Sequence, residues 1–168
     1  NGFTEETILA LFIPNTYEFF WNTSAEKIAD KMASEYKKFW NEERTAKALE
    51  KNLTPIQVSV LASIVHKETA KVSERPTVAG VYLNRLELNM PLQADPTVIF
   101  AMKKTSGDFD QVIKRVYSKD TQGTISPYNT YINTGLPPGP IAMPDISAID
   151  AVLNADKHDY IYFCASVD

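Results

Sequence analysis

Glu68 is a carboxylate placed where a carboxylate is unfavourable. It lies in the run Thr54 to Thr69, TPIQVSVLASIVHKET, which reads as one helix. Thr54 can cap it, Pro55 suits the first helical position because its missing N–H is not needed there, and Gln57 three residues on completes a capping-box pattern. At about 100° per residue, Leu61, Ile64, Val65 and Val72 project within roughly 60° of Glu68, whereas Ser59, Ser63 and His66 fall on the far side. Burial on an apolar face disfavours the ionised form, so the carboxyl keeps its proton nearer neutral pH, which is what a general acid requires. Periodicity leaves two other roles open: the stem can curl over apolar neighbours to reach water, or the carboxylate can pair with a buried Arg.

Other chemistry-bearing side chains are sparse. Cys164 is the only cysteine, so no internal disulfide can form, and in its apolar run a buried, unreactive thiol is expected. His66 and His158 are far apart and neither has a partner at metal-ligand spacing, so no metal or other cofactor is expected. The net charge of −4, without a basic block, disfavours nucleic acid as a partner. At 168 residues, 44% apolar and 23% charged, the chain suits one globular domain, or one with a small appendage. It has no apolar run of membrane length and no signal peptide, and it begins at Asn1 rather than Met. The expectation is an excised piece of a longer protein.

Several further elements must position Glu68. A short helix is expected from about Thr4 to Phe12, broken by Pro14, which drives Ile13 out of the helical region. The aromatic segment that follows, Tyr17 to Trp21, reads as packing between elements or, alternatively, as a platform for stacking sugars. Thr23 with Glu26 suggests a capping box for a helix reaching Trp40, with Ile28, Met32, Tyr36 and Phe39 on one face. Asn41 to Asn52 suggests another short helix. Pro76 can open a further one that stops by Met90, with Ala79, Leu83 and Leu86 on one face. Asn84 and Arg85 within it suit surface hydrogen bonding, or an Arg brace to a neighbouring acid. Asp95 is explained by capping the next helix, with Pro96 at its first position, as well as by catalysis.

Lys103 to Thr124 is polar, though Phe109, Val112, Ile113 and Val116 could make a helical face. Ser126 to Pro140 carries four prolines and two glycines, which makes it a stiff loop able to present Tyr, Asn and Thr side chains, or simply to cover the body. Asp145 can cap a helix to about Asn154. Asp159 to Ala165, DYIYFCA, has β character and needs a partner strand, for which the segment near Tyr17 is available. The fold class expected is α+β, mainly α.

The runs FIPNTYEF, LASIVHKET, ERPTVAGVYLNRLELNMPLQADPTVIFA, SPYNTYINTGLPPGPIA and DYIYFCA resemble, in the same order from Ile13 to Ala165, the YceG-like family of endolytic murein transglycosylases. The resemblance implies a lysozyme-like helical catalytic domain, a small β element pairing the C-terminal strand, and residues 1–168 as that single domain. It also implies a bacterial parent protein anchored in the inner membrane by one N-terminal helix. The anchor, a LysM-like domain and the family's last segment would lie outside this sequence. Glycan strands of nascent peptidoglycan on the outer side of that membrane are the implied substrate, and cell-wall synthases are possible partners.

Carried over by motif, the catalytic glutamate is Glu68 in Val65-His66-Lys67-Glu68-Thr69, where the family writes V-E-K-E-T. His66 replaces the first acid and leaves Glu68 alone. Asn84, Arg85, Gln93, Asp95, Thr97, Tyr128, Asn129, Thr130, Tyr131, Leu136, Pro137 and Gly139 match the other motifs and are expected to line or brace the cleft. The implied reaction cuts the β-1,4 bond between N-acetylmuramic acid and N-acetylglucosamine and leaves a 1,6-anhydro end. The rivals are a hydrolase using Glu68 and Asp95, and a non-catalytic glycan-binding or scaffold module.

Overall fold

The computed structural model describes residues 2–164. After a 3₁₀ turn at Ile8–Leu11 the helices are α1 (Ala25–Phe39), α2 (Glu42–Glu50), α3 (Pro55–Glu68), α4 (Arg75–Glu87), α5 (Asp95–Ser106), α6 (Ser118–Gly123) and α7 (Ile146–Leu153), with a second 3₁₀ turn at Val72–Glu74 before α4. The fold is mainly helical, and no β-strand occurs among the described residues.

The start of α3 follows its sequence. Gln57 N–H donates to Thr54 Oγ1 at 3.2 Å and Thr54 N–H to Gln57 Oε1 at 2.8 Å, the reciprocal pair of a capping box. Its flanks differ from expectation, because every residue from Val58 to Val65 is buried. Helices α2, α4, α5 and α7 pack around it, so α3 is the central rod rather than an amphipathic surface helix. Ser59 and Ser63 survive inside by returning their hydroxyls to the backbone. Ser59 donates to Pro55 O, and Ser63 donates to Val60 O at 2.6 Å while accepting from Ile141 N–H at 3.0 Å. Leu61 and Ile64 of this rod pack with Tyr82, Leu92, Ile149 and Val152 without solvent exposure or nearly so. Each such apolar side chain contributes about 1.5–3 kcal/mol relative to an exposed one.

The N-terminal layer is looser. Ser24, one residue after the expected Thr23, caps α1, and Met32 is the one residue of α1 that is buried. The aromatic run packs only at Tyr17, which is half-buried; Phe20 is 85% and Trp21 97% exposed. Phe20 O accepts both Thr23 N–H and Thr23 Oγ1, closing a turn with both rings outside.

Two other expectations change. α5 ends at Gly107, left-handed at φ 73°, and residues 109–116 form no helix, leaving Phe109 and Val112 exposed. At the other end, Asp159 to Cys164 lies against α4 without a strand partner, and Ala165 lies outside the described residues. Asn84 Nδ2 donates to His158 O and Tyr160 O at 2.8 and 2.9 Å, and Arg85 Nε donates to Ile161 O at 2.7 Å. Two side chains of α4 thus take the carbonyls that a ladder would have used, and Tyr17 instead donates its hydroxyl to Ile13 O. Held by its backbone, this segment leaves Tyr160, Tyr162 and Cys164 exposed, so the cysteine is not the buried thiol expected.

Candidate functional site

Glu68 is the last residue of α3, half-buried, and its Oε2 is buried without a hydrogen-bond partner among the described residues. Desolvation pushes its pKa upward; the Tyr82 hydroxyl pulls it back, the negative charge of Asp95 raises it further, and Arg85 opposes that. The net direction is up, toward a proton held on the carboxyl. Tyr82 comes from α4 and is 1% exposed. Its burial and the neighbouring Glu68 push its own hydroxyl well above the usual phenol range, so it stays a donor.

Asp95 opens α5 but caps nothing: Ala94 is the N-cap and has no side-chain bond. The carboxylate instead accepts from Tyr131 Oη at 2.5 Å. Burial and that bond to Asp95 raise the Tyr131 pKa. Gln93 precedes it with φ 51°, a left-handed conformation uncommon outside glycine, and its side chain is exposed. What holds the strain is visible. Gln93 N–H donates to Thr130 O, Ala94 N–H to Thr130 Oγ1, and Thr97 Oγ1 sits 2.8 Å from Thr130 Oγ1. Such strain concentrates where surrounding structure over-determines a position, often at a binding site.

The residues singled out by sequence therefore divide. Glu68, Asp95 and Tyr131, together with Arg85 and Tyr82, form one electrostatically coupled group, and Gln93 adjoins Asp95 through Ala94. Thr97, Asn129 and Thr130 are fully enclosed and spend their groups internally. Asn129 Nδ2 donates to Thr121 O and Thr124 O, and its Oδ1 accepts from Tyr131 N–H. Tyr128 is buried against Phe100, ring centroids 4.7 Å apart.

Among the described residues Arg85 makes no carboxylate fork; its NH1 donates to Leu92 O at 2.6 Å, tying α4 to the Gln93 loop. Asn84 faces the C-terminal segment. Leu136 and Pro137 line a separate groove of about 760 Å³ with Leu53, Val60 and Leu83, and Glu68 is not part of its lining. Gly139 packs so tightly that a Cβ there would meet Glu6 O at 1.9 Å.

On the other side of α3, His66 Nδ1 lies 3.3 Å from Asp145 Oδ2, away from the Glu68 group. Asp145 caps α7 through Ala148 N–H and receives both Arg75 and Ser147. Sequence reasoning missed this cluster and Tyr82, because Tyr82 sits in an apolar run like any core residue and the Arg75–Asp145 pairing spans 70 positions. Among the described residues no group of three or more His, Cys, Asp or Glu is arranged to hold a metal.

Comparison with known proteins adds a lineage. Residues 2–168 match the model of the YceG-like family. The chain is 39% identical over 154 residues to an endolytic murein transglycosylase of Bacillus subtilis, covering 90% of this chain and 40% of that protein. It is 37% identical over 155 residues to the endolytic murein transglycosylase of Streptococcus pneumoniae D39, covering 92% and 27%. A crystal structure of a YceG-like protein from Listeria monocytogenes superposes with a TM-score of 0.76 at 34% identity, over 93% of this chain and 49% of that one. The chain thus spans less than half the length of the relatives it matches.

Proposed function

This chain belongs to the YceG-like family, and we propose that it is the catalytic domain of an endolytic lytic transglycosylase acting on peptidoglycan glycan strands. The observation that carries this is the half-buried Glu68, with its pKa raised and Oε2 unpartnered, at the end of the central helix. The mainly helical body around that helix supports a lysozyme-like arrangement.

Protonated Glu68 donates to the oxygen leaving C1 of the muramyl residue. The resulting carboxylate then takes the proton of the same sugar's C6 hydroxyl as O6 closes on C1, giving the 1,6-anhydro ring without added water. One carboxylate acts as acid and then base, in contrast to glycosidases that use a pair at a set separation. Asp95, held by Tyr131, supplies negative charge that keeps Glu68 protonated and favours a positively charged sugar ring in the transition state. Gln93 offers its exposed amide to the N-acetyl or hydroxyl groups. Arg85, Thr97, Asn129 and Thr130 brace the Gln93 loop and Tyr131, whereas Asn84, Tyr128, Leu136, Pro137 and Gly139 support the body beyond it. No described helix is long and apolar enough to cross a membrane, and anchoring, like any synthase partner, is assigned to the rest of the protein.

The test is the chemistry of the cut end. Mass spectrometry of digested strands is expected to show anhydromuramyl termini, lighter by one water than reducing ends. Reducing termini would favour a hydrolase in which Asp95 activates water, and uncut strands would favour a binding module.

A further inference from the structure

A second recess adjoins the Glu68 site through the sequence neighbours of its two carboxylates. Lys67 precedes Glu68, Pro96 follows Asp95, and both line a hollow of about 360 Å³, within the range of small-ligand pockets. Its walls are apolar, from Ile99, Phe100 and Ile141, and its two charged lining residues are Lys67 and Lys103. Lys67 is exposed and makes no ion pair or hydrogen bond among the described residues. Lys103 Nζ donates to Phe109 O at 3.0 Å, drawing the turn after α5 into the wall, where the Phe109 ring lies 5.9 Å from Phe100. Asp108 in that turn is engaged with its own loop, its Oδ1 accepting Asp110 and Gln111 N–H, so it leaves the lysines unneutralised.

We propose that this recess is a specificity subsite for the peptide branch carried by the muramyl residue next to the scissile bond, with Lys67 recognising a branch carboxylate. This rests on the transglycosylase reading of Glu68. Two cations on a chain of net charge −4 select an anionic group, and walls of Ile and Phe select methyl-bearing ones. A short peptide with small side chains and a free terminal carboxylate carries both properties out to the recess, whereas a peptide-free muramyl residue has only the methyl and carboxylate of its lactyl group, held close to its own ring. The branch leaves the same sugar whose C1 reacts, so a subsite sharing Lys67–Glu68 and Asp95–Pro96 is where it would fall. Filling it would also orient that sugar over Glu68, turning branch binding into rate.

The kinetic test compares peptide-bearing strands with strands stripped of peptide, using the full protein. Wild type is expected to show a higher kcat/KM on the peptide-bearing strands. Lys67→Glu lowers that value about tenfold and leaves stripped strands unchanged; Ile99→Trp, which fills the recess, does the same without changing charge. Equal losses on both substrates, or none on either, would overturn the subsite. A readout independent of turnover uses the Glu68→Gln protein in calorimetric titrations with N-acetylmuramyl peptide and with N-acetylmuramic acid. Tighter binding of the peptide form, lost with Lys67→Glu, supports the subsite even if strand cutting fails. Equal affinities refute it even if anhydro products form.

Discussion

Two carboxylates flank the last turn of α3 and are driven in opposite directions. Glu68 is desolvated, has no partner on Oε2 among the described residues and faces the negative Asp95, so its pKa rises. Asp145 also feels desolvation pushing up, yet the bonds from Arg75, Ala148 N–H and Ser147 outweigh it and lower the pKa to about 2. What separates them is the supply of donors. A carboxylate given a guanidinium and a helix N-terminus becomes a structural anion, and one given an apolar wall and a phenol becomes a proton carrier.

The sharpest way to break this comparison is Glu68→Gln. It preserves shape but can neither donate to the leaving oxygen nor take the C6 proton, so cutting should fall by about 10³-fold or more, roughly 4 kcal/mol of barrier. The fold should persist, and thermal stability on the alkaline side should rise. A raised folded pKa means that the stability linked to the protonated carboxyl is complete below the ordinary value of 4.5 and is lost as pH rises through the folded pKa. A glutamine that cuts at more than a tenth of the wild-type rate, measured by release of soluble strands, would remove Glu68 from the mechanism.

Next in size is Arg75→Ala. Arg75 is 4% exposed and bonded to both oxygens of Asp145, so its loss takes the guanidinium from a carboxylate that then keeps only Ser147 and the Ala148 N–H it caps. About 1–2 kcal/mol of stability should go, less than for a fully buried pair because Asp145 is 44% exposed, read by denaturant unfolding. The acid limb should change too. A lowered folded pKa contributes stability that is present above the ordinary 3.8 and is lost as pH falls toward about 2. The variant should lose the part of that slope that Arg75 supplies between about pH 4 and 2, keeping the part due to Ala148 N–H and Ser147, while the alkaline limb set by Glu68 stays in place.

These two sites were not equally legible in the sequence. Caps are local, so Thr54 with Gln57 and Asp145 before α7 could be read from spacing, and Glu68 stood out by periodicity along one helix. Partners across the chain could not be read. Nothing local shows that Asn84 and Arg85 take the carbonyls of residues 158, 160 and 161, which is why a strand over Asp159 to Ala165 was the natural reading. Burial on all sides of α3 was hidden for the same reason, since serines at 59 and 63 mimic a solvent face while bonding their own backbone. Asn129 and Thr130 resemble ligand-facing residues in type, but their neighbours consume every donor and acceptor that would have met a substrate.

Smaller effects should come from retuning Glu68 rather than removing it. Activity needs the protonated acid, so it falls as pH rises through the raised pKa of Glu68. Tyr82→Phe deletes the hydroxyl that pulls this pKa down and should move the alkaline limb to higher pH. Asp95→Asn deletes a charge that pushes it up and should move the limb lower. The opposite signs matter more than the sizes, because a general loss of packing would shift both the same way. Pre-steady-state rates across pH would read them, with a maximal rate reduced a few-fold, roughly 1 kcal/mol, in each.

The smallest effect is expected at His66, although it is only two residues from Glu68. Its Nδ1 faces Asp145 Oδ2 at 3.3 Å, on the side of α3 that carries the structural anion. Asp145 already has Arg75, Ser147 and Ala148 N–H, so an imidazole at that distance adds little to a carboxylate that is 44% exposed. His66→Ala should therefore change turnover by less than about twofold and unfolding free energy by under about 1 kcal/mol. Restoring an acid there, His66→Glu, is the more demanding probe. It sets a second negative charge against Asp145 and competes for Arg75, which should loosen α7 and lower stability while leaving the pH limb of cutting where Glu68 puts it. A shifted limb in that variant would mean that the two sides of α3 are coupled through its last turn.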